Sequence, residues 1–135
     1  MNKLLSLNKI KKIFYNEQGE NNVLDDISFD INEQEIVALL GPSGCGKSTI
    51  LNIISSLEIP TKGEFNLNAK LGYMFQTDNL LPWRNILNNV LLGLEVTKQK
   101  NNTSIEYVKE LLKKYNLYDF INYYPNELSG GVRQK

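Results

Sequence analysis

IVALLGPSGCGKSTILNII, residues 36–54, changes its hydrophobic period halfway along. IVALL, residues 36–40, is a continuous apolar run, β-branched at its start, which is the pattern of a strand buried on both faces. After Gly41 the spacing becomes helical, and Ile50, Leu51, Ile54 and Leu57 share one face. Between strand and helix, GPSGCGKST fits G-x-x-x-x-G-K-[ST] from Gly41 to Ser48.

Each part of that loop has a physical reason. Gly41, Gly44 and Gly46 let the backbone bend tightly and turn its N–H groups into one concavity, with Pro42, Ser43 and Cys45 filling the remaining positions. The helix that follows adds unpaired N–H groups and the positive end of its dipole. Lys47 is expected to reach the β- and γ-phosphates of a nucleotide, Ser48 to offer its hydroxyl to Mg²⁺, and Thr49 to lie near the α-phosphate.

Outward from the loop, residues 4–14 read as a strand of mixed alternation, EQGENN (17–22) as a turn, and DISFDIN as a strand with Ile27, Phe29 and Ile31 on one face. GEFNLN and LGYMFQ (71–76) read as further strands. A helix over 83–94 carries Ile86, Leu87, Val90, Leu91 and Leu94. Thr103 and Glu106 have capping-box spacing before an amphipathic helix with Ile105, Val108, Leu111, Leu112 and Tyr115. Leu117 to Tyr123 reads as a short helix ended by Pro125.

Composition excludes several classes. Lys+Arg 15 balances Asp+Glu 15, so no basic field recommends nucleic acid. Cys45 is the only cysteine and histidine is absent, which removes disulfide frameworks, thiolate clusters and histidine catalysis from these 135 residues. MNKLLSLNKIKKIF lacks a signal-peptide core, and no apolar run approaches the roughly 20 residues of a membrane helix. A cytosolic domain that reaches a membrane through a partner is the expectation.

A phosphate loop alone serves kinases, GTPases, helicases and transporters. LSGGVRQ (128–134), following GPSGCGKST and GYMFQTDNLLPW, resembles the ATP-binding subunit of an ATP-binding cassette (ABC) transporter, over essentially the whole chain. The resemblance implies an α/β fold, that of the P-loop NTPases of the ABC ATPase type, in incomplete form. Residues 1–135 would be one truncated nucleotide-binding domain, with an N-terminal antiparallel β subdomain, part of a RecA-like core, and a helical signature subdomain.

The resemblance also implies roles. ATP and Mg²⁺ are the ligands. An aromatic before the hairpin turn stacks on adenine; KIF places it at Phe14, with Tyr15 as competitor. Gln76 contacts Mg²⁺ and positions the attacking water. Ser129, Gly130 and Gly131 face the γ-phosphate held by a second nucleotide-binding subunit, so that ATP is sandwiched in a homodimer. LLPW is similar to the nitrate, sulfonate and taurine importers, with Leu80, Leu81 and Trp83 suited to a helix of a transmembrane permease. A solute-binding protein would act indirectly, and the subunit would sit on the cytoplasmic side of the cell membrane.

Two departures concern turns: NEQE (32–35) and Ser56 stand where the family usually has glycine. The family's strand ending in Asp-Glu, its D-loop and its switch histidine would follow residue 135, so this chain by itself is expected not to turn over ATP, and IVALL and LGYMFQ to lack neighbours. The competing readings are a catalytically inert nucleotide-binding fragment and a non-importing ABC ATPase such as an exporter subunit; LLPW argues against the latter.

Overall fold

The computed structural model describes residues 2–17 and 19–134; Met1, Gln18 in the expected turn, and Lys135 lie outside the described residues. The chain divides into two compact units, Met1–Tyr73 and Met74–Lys135.

The first unit is built on an antiparallel sheet of β1 (Lys3–Asn16), β2 (Gly19–Asn32) and β3 (Lys62–Leu67), in the order β2-β1-β3. The hairpin turn is tighter than EQGENN suggests, because Asn16 already pairs with Gly19 and Ile13 with Asn22. The mixed alternation of β1 has a cause. Leu5 and Leu7 face the core, then so does Ile10, so one residue is gained between them. Lys9 takes up that bulge in a left-handed conformation (φ 50), and its N–H donates to Ser28 Oγ at 2.8 Å. Gly63 of β3 crosses there so closely that a Cβ on it would lie 2.3 Å from the Lys9 carbonyl oxygen. Asp26 (φ 52) marks the matching irregularity in β2, where the buried face passes from Leu24 to Ile27.

Helix α1 (Lys47–Ile54) closes this core. Ile50, Ile53 and Ile54 are its buried residues, at the i, i+3, i+4 spacing of a single face. Burying each stabilises by about 1.5–3 kcal/mol. The face drawn from sequence through Leu51 and Leu57 is thus rotated: both are exposed. The helix ends at Ile54, so Leu57 no longer follows its periodicity. The ending is a Schellman turn. Leu57 N–H donates to the Asn52 carbonyl at 2.9 Å and Ser56 N–H to the Ile53 carbonyl at 3.0 Å, with Ser56 left-handed (φ 58).

IVALL and LGYMFQ do not form strands, contrary to the sequence reading, because no described strand lies beside either. A strand needs a ladder partner for its backbone polar groups. Ile36 and Leu40 are accordingly 98% and 92% exposed. Tyr73 is held to α1 by its hydroxyl, 2.8 Å from Asn52 Oδ1.

In the second unit the expected 83–94 helix is divided into α2 (Ile86–Val90) and α3 (Leu92–Val96), with buried Leu91 between them. Its start is later than expected because Asn85 is the N-cap, its side chain accepting from Asn88 N–H. Helix α4 (Asn102–Lys114) is capped by Asn101 and Ser104, each side chain bonded to the other's backbone N–H, rather than by Thr103 and Glu106. Thr103 already lies inside the helix, and Glu106 pairs with Lys109 at 2.8 Å. Val108 and Leu112 of α4 pack with Leu91 and Leu117; Tyr115 is exposed. Leu117–Tyr123 and the residues after it supply 3₁₀ turns, Tyr118–Phe120 and Pro125–Glu127, followed by α5 (Gly130–Arg133). No helix among the described residues is long and apolar enough to cross a membrane.

Candidate functional site

The loop from Gly41 to Gly46 leads into α1 with Gly46 as N-cap. Gly46 is left-handed (φ 93) and buried, and a Cβ there would lie 2.6 Å from Leu24 Cδ2 and 3.0 Å from the Val23 carbonyl oxygen. The hairpin thus supports the loop from below, and only glycine fits. No side chain caps α1, and no acidic residue stands in its first turn. Its leading N–H groups and dipole are therefore not neutralised from within, which is what an anion-binding terminus requires.

Lys47 lies across the loop. Its Nζ donates to the carbonyls of Gly41 at 2.8 Å and Pro42 at 2.7 Å, and sits 3.5 Å from Cys45 Sγ. Among the described residues no carboxylate pairs with the ammonium, so an anion that reached the loop would offer it a charge-assisted bond. Ser48 and Thr49 follow on the first turn of α1, Ser48 exposed. Among the described residues no three His, Cys, Asp or Glu side chains gather as a metal cage. The hydroxyl of Ser48 and the amide oxygen of Gln76 are hard donors of the kind Mg²⁺ accepts beside phosphate oxygens.

Phe14 and Tyr15 are successive residues of β1 and point to opposite faces. Ile10, on the even-numbered face, packs with Ile50, Ile53 and Ile54 of α1. Phe14 is 38% exposed, whereas Tyr15 is 69% exposed. Between Ile10 and Phe14, Lys12 is fixed by Glu58 Oε1 at 2.6 Å and the Ile59 carbonyl at 2.8 Å, and its Nζ stands 4.8 Å from the Phe14 ring centroid. The hydrogen bond from Lys12 holds the Glu58 carboxyl below its ordinary range. Neither Lys12 nor Glu58 stood out in the sequence; the K-x-F spacing was their only signal.

Gln76, Ser129, Gly130 and Gly131 belong to the second unit and are all exposed. Ser129 is the N-cap of α5, yet its hydroxyl caps nothing; its carbonyl accepts from Val132 and Arg133 N–H. A Cβ on Gly130 or Gly131 would meet nothing within 4 Å, so the helix start stands open. Buried Leu128 anchors it. Arg133 reaches Asp78, two residues past Gln76, at 3.1 Å.

Trp83 is 72% exposed, with Leu80 and Leu81 half-buried beside it in sequence. Sequence reasoning missed what shapes this stretch. Asn89 accepts from Leu81 N–H at 2.7 Å, and its amide donates to the carbonyls of Leu81, Arg84 and Asn85. Glu95 bonds both Lys100 and Arg84, and these bonds, Lys100's first, hold its carboxyl below the ordinary range. Asparagine is abundant here, so nothing in the pattern singles out Asn89.

Comparison with known proteins fits this geometry. The family model described as ABC transporter matches residues 24–135. The aliphatic sulfonates import ATP-binding protein SsuB of Zymomonas mobilis is 40% identical over 97% of this chain and 54% of its own length. The taurine import ATP-binding protein TauB of Rhizobium johnstonii is 41% identical over 83% of this chain and 46% of its own. The dimeric structure of a post-hydrolysis state of an ATP-binding cassette, bound to ADP and Pi, superposes with a TM-score of 0.85 at 33% identity, over 96% of this chain and 65% of that one. The chain spans about half the length of the curated relatives it matches. With this family model over residues 24–135 and relatives at this identity, the chain belongs to the ATP-binding subunits of the ABC transporter family.

Proposed function

We propose that residues 1–135 are part of one nucleotide-binding domain that binds ATP with Mg²⁺, and that the whole protein couples ATP hydrolysis to import of a small solute. The observation that carries this reading is the loop at Gly41–Thr49: an uncapped helix terminus with Lys47 held across it by the carbonyl oxygens of Gly41 and Pro42 and by Cys45 Sγ. Gly41, Pro42, Ser43, Gly44, Cys45 and Gly46 supply the backbone cradle, Lys47 the charge at the β- and γ-phosphates, Ser48 and Gln76 the protein's donors to Mg²⁺, and Thr49 a contact near the α-phosphate. Mg²⁺ neutralises charge on the phosphates when bound. Phe14 is the adenine platform, a choice supported by its lower exposure than Tyr15 and by Lys12 Nζ standing 4.8 Å from its ring centroid.

Ser129, Gly130 and Gly131 present an open helix start to the γ-phosphate held by a second copy, supported by the lack of a side-chain cap and of any neighbour near the glycines. Trp83 with Leu80 and Leu81 docks a permease helix on the cytoplasmic side of the membrane, and a solute-binding protein delivers the cargo. A sulfonate-like solute is supported by the printed functions of SsuB and TauB. The test is uptake of a small sulfonate by liposomes holding the protein with its permease. Uptake that stops in Lys47→Ala supports the proposal; ATP-driven uptake that survives the substitution contradicts it.

A further inference from the structure

Resting on the reading of Phe14 as the base platform, we infer that Lys12 is its positioning residue: pinned from one side by Glu58 and Ile59, its ammonium occupies one face of the Phe14 ring and leaves the other for the purine. Three observations converge. The Lys12 side chain is only 12% exposed, so this is a seated group and not a waving surface lysine. Its Nζ is fixed by two acceptors, Glu58 Oε1 at 2.6 Å and the Ile59 carbonyl at 2.8 Å, both supplied by the segment that leaves α1. From that anchored position it stands 4.8 Å from the ring centroid, within the range of a cation–π contact.

The consequence is preorganisation. A ring on an outer stretch of a hairpin would otherwise sample several rotamers and lose them on binding. A cation on one face holds a single rotamer before the base arrives, and it draws π-density toward itself, so the free face repels the purine's own π-system less. The same anchor ties the platform to the end of α1, which begins at the phosphate loop.

The experiment measures binding of ATP and of inorganic tripolyphosphate, each with Mg²⁺, by calorimetry. Tripolyphosphate engages the phosphate loop without a base and so reports on folding and loop integrity together. Lys12→Met keeps the aliphatic stem and removes the charge. The expected result is ATP binding weakened about three- to tenfold with tripolyphosphate binding unchanged. Lys12→Arg, which preserves the cation, restores ATP affinity. Equal losses for both ligands in Lys12→Met, or no loss for ATP, overturn the inference. Phe14→Ala separates the two layers. If it weakens ATP selectively while Lys12→Met does not, the platform stands and the positioning role falls. If Phe14→Ala leaves the ratio of the two affinities unchanged, both fall.

Discussion

A Cβ placed on Gly46 would lie 3.0 Å from the carbonyl oxygen of Val23. The phosphate loop is therefore seated on the hairpin and not merely attached to it. Leu24 Cδ2, at 2.6 Å, could turn aside, but the Val23 backbone cannot without disturbing β2. Gly46 is also left-handed, which costs an L-residue roughly 1–2 kcal/mol. Gly46→Ala is expected to destabilise the fold by about 2–3 kcal/mol, strain and crowding combined, and to abolish ATP binding. Denaturant unfolding and calorimetry on one preparation check both.

The two places where the family's glycine is missing invite the opposite experiment. Ser56 (φ 58) holds the left-handed position of a Schellman turn, and Gln34 (φ 64) that of the NEQE turn. Glycine relieves the strain and returns part of the gain as unfolded-state entropy. Ser56→Gly and Gln34→Gly are each expected to stabilise by about 0.5–1 kcal/mol without altering nucleotide affinity. Unchanged or lowered unfolding midpoints would show that both turns are better accommodated than their dihedrals indicate.

Asn89 binds the backbone of the stretch that carries Trp83 at Leu81, Arg84 and Asn85. Asn89→Leu leaves these groups without their partner, at a cost of about 1–3 kcal/mol. Faster hydrogen exchange at the Leu81 amide, with exchange in α1 unchanged, is the expected signature. If Leu81 stays protected, another group holds the loop.

The anchor between Glu58 and Lys12 gives a pH dependence of definite sign. Glu58 has its folded-state pKa depressed below the ordinary 4.5, first by the Lys12 hydrogen bond and then by the Ile59 N–H. A depressed carboxyl contributes stability above its unfolded pKa and loses it as pH falls through the lower, folded value. The parent is therefore expected to lose stability on acidification below about pH 4.5 more steeply than Glu58→Gln. Parallel unfolding curves for the two across that window would remove the anchor from the account.

The sequence was most legible where one local rule suffices. The loop, the helix after it, β3 and the hairpin all follow from glycine placement and period. It was least legible where tertiary context decides. IVALL has a strand's composition, but composition cannot provide a ladder partner, and the segment lies exposed. The bulges at Lys9 and Asp26 reverse a face without a glycine to announce them. The cap at Asn101 outcompeted Thr103 by position alone. Lys12 and Asn89 act through contacts with segments distant in sequence or folded back, which no periodicity encodes.

The central claim is that the Gly41–Thr49 loop holds the phosphates of ATP and that Lys47 leaves the carbonyls of Gly41 and Pro42 to do so. Calorimetric titration of Mg-ATP into the protein and into Lys47→Ala tests it most directly. Loss of charge-assisted bonds worth about 1.5–3 kcal/mol predicts affinity lower by roughly ten- to a hundredfold, with the unfolding midpoint preserved. Equal affinity in the two proteins would contradict the account.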